Sequence, residues 1–168
     1  FIYDVIHGYM EFNNDEKKFI DNCWMKRLKR IKQLGLLEQV FPSASHNRFE
    51  HSLGVAYLSE KYLNILSKRS INFKPNHTET LCVKLAGLLH DIGHGPFTHI
   101  FDTMMEKEHG HEKRSQQFVV YMFKKIGTSY KFNSAYIIDA IKEMIEPTIV
   151  TKDPLYNIVN NNITKIDV

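Results

Sequence analysis

From Glu16 to Leu34 the apolar residues Phe19, Ile20, Cys23, Trp24, Leu28, Ile31 and Leu34 recur at the spacing that lines one side of an α-helix. The pattern predicts one long helix, opened by Asn14 or Asp15 and closed by Gly35, with a basic opposite side. Phe41-Pro42 to Asn47 reads as a loop. Phe49, Leu53, Ala56, Leu58, Tyr62, Ile65 and Leu66 then predict a second long helix ending near Ser67. Asn76 and Glu79 stand in the register of a capping box, in which each side chain accepts from the other residue's backbone N–H. Behind them, Leu81 to Leu89 is apolar nearly all round, Lys84 excepted, which places this helix at the centre of the core. Gly93, Gly95 and Pro96 end it. Thr98 to Lys107, Glu112 to Ile126 and Ser134 to Ile145 carry three more helical patterns, and Asp153-Pro154 opens a last short one. Phe118, Tyr121 and Phe123 share a helix spacing that assigns them to the core. Alternating strand-like runs are nearly absent, no repeat appears, and the expected fold is an all-α helical bundle.

The length of 168 residues corresponds to about one domain, so residues 1–168 are expected to form a single unit. Lys and Arg number 22 against 19 Asp and Glu, and a surplus of +3 does not by itself announce a nucleic-acid or membrane protein. The 43% hydrophobic content excludes a disordered chain, and no apolar run approaches a membrane span. Only Cys23 and Cys82 occur, in unrelated apolar contexts, so neither a disulfide framework nor a cysteine zinc site is implied, which fits an intracellular protein, nuclear or cytoplasmic. Residues 1–12 include Asp4, His7 and Glu11 and lack the features of a signal peptide. A start at Phe1 and an end at Val168 lead to the expectation of a fragment, cut at both ends.

Histidines turn composition into chemistry. Five of the nine, His90, His94, His99, His109 and His111, fall within 22 residues. Imidazoles are the commonest nitrogen ligands of metals and the commonest acid/base groups near neutral pH, so the cluster points to metal-assisted hydrolysis. His90-Asp91 follows the apolar run Leu85 to Leu89, which puts a carboxylate beside the core. A buried unpaired charge there costs several kcal/mol, so Asp91 needs a cation or donors. A divalent metal bound by His90 and Asp91 meets that need, with Gly93 giving the chain freedom to orient both side chains. His51 is the best third ligand, and it shares a helix face with Arg48. Two neutral imidazoles and a carboxylate leave the ion net positive with open positions for water and a phosphate oxygen. Fe, Mn, Zn and Mg all suit such a set, and the sequence does not choose among them. Arg48 can add a two-pronged phosphate contact. His94, His99 and His111 supply donors for developing charge and a proton for a departing oxygen.

At these residues the chain resembles a family. His51 with His90-Asp91 matches the metal-binding pattern of the HD-domain phosphohydrolases. The longer runs Ser45-His46-Asn47-Arg48-Phe49-Glu50-His51 and His90-Asp91-Ile92-Gly93-His94-Gly95-Pro96-Phe97-Thr98-His99 are similar to the deoxynucleoside triphosphate (dNTP) triphosphohydrolases, above all their eukaryotic branch with SAM and HD domains. The likeness runs from about Asp4 to about Phe118 and returns from Tyr156 to Val168. It implies cleavage of a dNTP to deoxynucleoside and inorganic triphosphate. In it His51, His90 and Asp91 match metal ligands, Arg48, His94 and His99 match phosphate contacts, and His111 matches the catalytic histidine. Asp102 matches the carboxylate that orients that histidine. Gln33 and Leu34 match residues around the sugar, where the family bonds the 3′-hydroxyl and leaves no room for a 2′-hydroxyl.

In the family an Asp directly after an Ile-Asp-Val run completes the metal set. This chain ends on Ile166-Asp167-Val168, with Asp167 at the preceding, non-ligating position. The family's guanine-nucleotide activator site has an Asp, a Gln and an Arg where this chain has Asp21, Lys26 and Lys29, and an Asn where it has Tyr3. The resemblance thus adds a guanine-nucleotide activator and a second copy of the chain to the dNTP as partners. Lys26, Arg27, Lys29, Arg30 and Lys32 read as a solvated helix face, with a regulatory-nucleotide or nucleic-acid contact as the competing reading. His7, His46 and His77 read as structural. Two other functions compete with the dNTP triphosphohydrolase: an impaired HD module binding nucleotides or nucleic acid, and an HD phosphohydrolase of nucleoside monophosphates or cyclic nucleotides. His94, His99, Asp102 and His111, groups beyond any ligand set, favour catalysis.

Overall fold

The structure, a computed structural model, describes residues 1–105, 110–126, 135–148 and 153–161. Its N-terminal end is a small hairpin, β1 (Ile2–Asp4) paired antiparallel with β2 (Gly8–Met10). Three-residue strands are too short to register as alternation, which is why the pattern did not predict them. His7, in the turn, lies against Tyr57 with ring centroids 5.5 Å apart and so seats the hairpin on the helix behind it.

The predicted first long helix is broken. Asn13 and Glu16 form a full capping box at the start of α1 (Asn14–Ile20). Asn22 then takes up extended backbone and accepts from the Trp24 N–H, starting α2 (Cys23–Arg27), which passes into a 3-10 turn over Leu28–Arg30. An Asn side chain that caps a new turn competes directly with continuation of the old helix. The break lets Phe19, Ile20, Met25 and Leu28 all reach the core. Past it, the Arg48 N–H donates to Ile31 O at 2.9 Å and the Gln33 N–H to His46 O at 3.0 Å, which fastens Gln33 beside the next helix.

That helix, α3 (Arg48–Arg69), begins on an Asn47–Glu50 capping box, and α4 (His77–Leu89) begins on the expected Asn76–Glu79 box. Every residue from Leu81 to Leu89 is buried, and α4 packs between α3 and α7 (Ala135–Ile145). Two further helices are α5 (His99–Met104) and α6 (His111–Ile126), and a 3-10 turn over Pro154–Asn157 follows its Asp153 cap. Leu63, Leu88, Leu89, Ile92, Met122 and Ile141 are fully enclosed, each such side chain contributing about 1.5–3 kcal/mol. Lys84, the exception in the apolar run, is buried too. Its Nζ lies 3.2 Å from Glu16 and 2.6 Å from Glu60 and donates to Glu11 O at 3.0 Å, so one ammonium ties α4 to α1 and α3. Of the three aromatics on α6, Phe123 is buried and Phe118 packs on Trp24, but Tyr121 is exposed and only its edge meets Trp24. The fold is all-α, and among the described residues no helix is long and apolar enough to cross a membrane.

Candidate active site

α4 stops at Leu89, and His90 and Asp91 occupy the turn behind it. His90 Nδ1 donates to Gly87 O at 2.7 Å, since a carbonyl can only accept, and its Nε2 is thereby directed at His51 Nε2, 3.2 Å away. Asp91 Oδ1 lies 3.4 Å from His90 Nε2 and Oδ2 lies 3.5 Å from His51 Nε2. Burial, and then the charge of His90, lower the His51 pKa to about 4, so near neutral pH it offers a lone pair. His51, His90 and Asp91 thus converge as nitrogen, nitrogen and oxygen donors, a set that fits a divalent metal.

Asp91 differs from expectation in one respect. Its carboxylate already has a cation, because Arg48 Nη1 reaches Oδ2 at 2.5 Å with both side chains almost wholly buried. Burial works against ionisation of Asp91, but the pull of His90, His94 and Arg48 outweighs it and holds the carboxyl well below the usual range. Arg48 is therefore tied to the Asp91 carboxylate as well as lining the cleft, with its Nε enclosed and unpartnered. Gln33 Oε1 is likewise buried without a partner and lines the same cleft.

The second group lies across Asp91. His94 Nε2 is 3.2 Å from Asp91 Oδ1, and burial lowers the His94 pKa to about 4. Its ring stacks on His111 with centroids 3.8 Å apart, and His99 meets both rings edge-on at 5.0 and 5.2 Å. His111 Nδ1 pairs with Asp102 Oδ2 at 2.8 Å, while His111 Nε2 lies 3.3 Å from Glu112 Oε1. Burial again opposes ionisation of Asp102, but hydrogen bonds from Arg114 and His111 win and lower its pKa. His94, His99, His111 and Glu112 line a cleft of about 240 Å³ together with His51, His90 and Asp91, and Ile145, Val159 and Asn160 also contribute to its lining.

Of the residues singled out from sequence, Gln33, Arg48, His51, His90, Asp91, His94, His99 and His111 line this cleft. Leu34 and Asp102 do not: Leu34 is about half exposed, and Asp102 reaches the cleft only through its bond to His111. Asp21, Lys26 and Lys29 lie on the broken first segment, not on one helix. Lys26 pairs with Asp21 at 2.9 Å, and Lys29 stands over the Phe49 ring at 4.6 Å. His109 and Ile166-Asp167-Val168 fall outside the described residues.

Sequence reasoning missed the strap behind the site. Arg27, read as part of a solvated basic face, points inward, and its two Nη groups donate to His94 O at 2.8 Å and Ile92 O at 2.7 Å. Burial and the nearby Arg114 charge lower its pKa. Ser115 Oγ donates to His90 O at 2.6 Å and accepts from the Gly93 N–H at 2.9 Å. The role of Gly93 also differs from the expected one: its φ lies outside the left-handed region, and an added Cβ would sit 2.2 Å from His111 O. Close approach of α6, not backbone freedom, requires the glycine. Counting three and four residues on from His111 would have flagged Arg114 and Ser115 as facing the same way; nothing in the basic run distinguishes Arg27.

The fold and the donor set define a class, the all-α domains that present histidines and a carboxylate to a divalent metal. A family model for the HD domain matches residues 48–163. The chain belongs to the HD domain family. It is 36% identical over 181 residues to a putative HD domain-containing protein of Acanthamoeba polyphaga mimivirus, covering 97% of this chain and 39% of that protein. It is 38% identical over 191 residues to the deoxynucleoside triphosphate triphosphohydrolase SAMHD1 of Mus musculus, covering 98% of this chain and 29% of that enzyme. With the Bos taurus enzyme of the same name it shares 50% identity over 101 residues, covering 60% of this chain and 17% of that enzyme. The chain thus spans under two-fifths of the length of these relatives.

Proposed function

We propose that the chain is the HD domain of a metal-dependent dNTP triphosphohydrolase, which converts a dNTP to deoxynucleoside and inorganic triphosphate. One observation carries the reading: Asp91 stands between the His51–His90 pair and His94, so the ligand set and the histidine group form one continuous wall of one cleft. A metal held by His51, His90 and Asp91 would supply a Lewis acid against a phosphate oxygen. The chain's own residues do the rest. Arg48 brings permanent positive charge to the phosphates. Gln33 Oε1, an enclosed acceptor without a partner, receives the 3′-hydroxyl, since leaving such an atom unsatisfied is costly. Water adds to the α-phosphorus as the bond from phosphorus to the 5′-oxygen breaks, and that oxygen must leave with a proton. His111, when both ring nitrogens carry a proton, is set to give the one on Nε2, because Asp102 holds the Nδ1–H; the proton shed by the attacking water then restores it. On the same reading a guanine-nucleotide activator at Asp21, Lys26 and Lys29 would have to open the Lys26–Asp21 pair.

Chromatography of products from the metal-loaded protein, given dNTPs and rNTPs in parallel, tests the reading. Triphosphate and deoxynucleoside from dNTPs, with little turnover of rNTPs, are expected. Release of pyrophosphate, or turnover only of monophosphates or cyclic nucleotides, assigns another phosphohydrolase activity, and nucleotide binding without turnover assigns a binding module.

A further inference from the structure

The first turn of α6 sends two side chains to one carboxylate. His111 and Arg114 lie three residues apart, on the same side of the helix. Asp102 divides its oxygens between them, Oδ2 to His111 Nδ1 at 2.8 Å and Oδ1 to Arg114 Nη2. The same guanidinium donates from Nε to Gly93 O at 2.8 Å and lies over the Phe101 ring, 5.2 Å from its centroid. One side chain therefore links α6, α5 and the loop that carries His90 and Asp91.

α5 needs such a link. It has six residues, none of them buried, and so short a helix does not hold itself together in water. Thr98, its cap residue, makes no side-chain cap bond, and Phe97 and Thr98 both carry positive φ, 61° and 56°, an unfavourable backbone for residues other than glycine. Phe101 packs against Gly95 and gives α5 an apolar contact, but the Asp102 carboxylate itself is oriented by polar contacts. His111 alone is an unreliable contact, because a histidine that donates a proton in each cycle can also change tautomer. An arginine guanidinium keeps its charge in proteins, and its planar fork fits two acceptors at once.

We propose that Arg114 is the positioning residue of this acid/base pair: by clamping Asp102 against the Gly93 carbonyl, it keeps His111 in its Nδ1–H tautomer and in fixed register with the metal-binding loop. The catalytic part of this inference rests on the reading of His111 as proton donor; the tautomer part does not.

The test uses Arg114→Gln and Arg114→Lys in the full metal-loaded chain. For Arg114→Gln, kcat on a dNTP should fall about 10- to 100-fold, the usual effect of losing a group that orients an active residue. KM and metal content should stay near wild type. Arg114→Lys, a point charge that cannot bridge Gly93 O and Asp102, should recover only part of the loss. In a His111→Ala background, Arg114→Gln should cost nothing further, because its effect runs through His111. A folded Arg114→Gln enzyme with wild-type kcat, or the same loss in both backgrounds, overturns the proposal. The ring nitrogens of His111, observed by 15N NMR at a pH where the ring is neutral, give a readout without turnover. The wild type should show the Nδ1–H form and Arg114→Gln a mixture with Nε2–H. An unchanged tautomer ratio overturns the positioning role even in a protein inactive on dNTPs, whereas a shifted ratio in such a protein upholds it and refutes only the dNTP reading.

Discussion

Gly93→Ala isolates how the loop that carries His90 and Asp91 is held. The added Cβ would lie 2.2 Å from His111 O, 2.5 Å from Ser115 N and 2.9 Å from the Arg114 carbonyl carbon. All three are backbone atoms of the first turn of α6, so no side chain can swing aside. Even the shortest tolerable separation of 3.0 Å requires the loop and helix to part by about 0.8 Å. Parting loosens three hydrogen bonds, Gly93 N to Ser115 Oγ, Ser115 Oγ to His90 O and Arg114 Nε to Gly93 O. At about 1 kcal/mol net for each bond, with about 1–3 kcal/mol for overpacking, part of which overlaps, the variant loses about 3–5 kcal/mol. In a domain of this size 1 kcal/mol moves Tm by about 2–4 °C, so a fall of roughly 10 °C is expected. The same displacement carries His111 away from His90 and Asp91, and on the proposed function an error of about 1 Å in a reacting group costs about a hundredfold in rate. Calorimetry gives the first quantity, and kcat measured well below the variant's Tm gives the second. Since φ at Gly93 is accessible to alanine, backbone strain does not confuse the result. A Tm within about 2 °C of wild type would show that the loop yields freely and would refute this account of its rigidity.

Three further outcomes follow from the same geometry. Replacing His90 and Asp91 together should abolish metal binding, read by elemental analysis, and unchanged stoichiometry would remove these residues from the ligand set. His111→Ala should lower turnover by about a hundred- to ten-thousand-fold with metal content intact, and near-normal turnover would pass the proton to His99. In metal-free protein, stability should fall as pH drops from 6.5 towards about 4. Buried His51 and His94 resist protons there, with pKa values of about 4, while the unfolded chain takes them up at the ordinary 6.5. Urea midpoints across that window should slope less in His94→Gln than in wild type, and equal slopes would contradict the burial argument.

Local signals were enough for much of this protein. The capping pairs Asn76–Glu79 and the helical spacing of Phe49 to Leu66 produce α3 and α4 almost as expected, because caps and periodicity act within a turn or two of the chain. The unbroken apolar run of Leu81 to Leu89 could only be central, and Asp91 beside it had to find positive charge. What the sequence could not choose was the identity of that charge, and the tertiary structure supplies Arg48 from α3. It also turned Arg27 inward, broke the first helix at Asn22, left Leu34 outside the cleft and tied Asp102 to Arg114. Each of these depends on partners distant in sequence or on which of two local hydrogen-bond patterns the packing rewards. A periodic pattern records which face of a segment is apolar; it carries no information about which buried carbonyl or carboxylate waits on the other side, and that is set only when the helices meet.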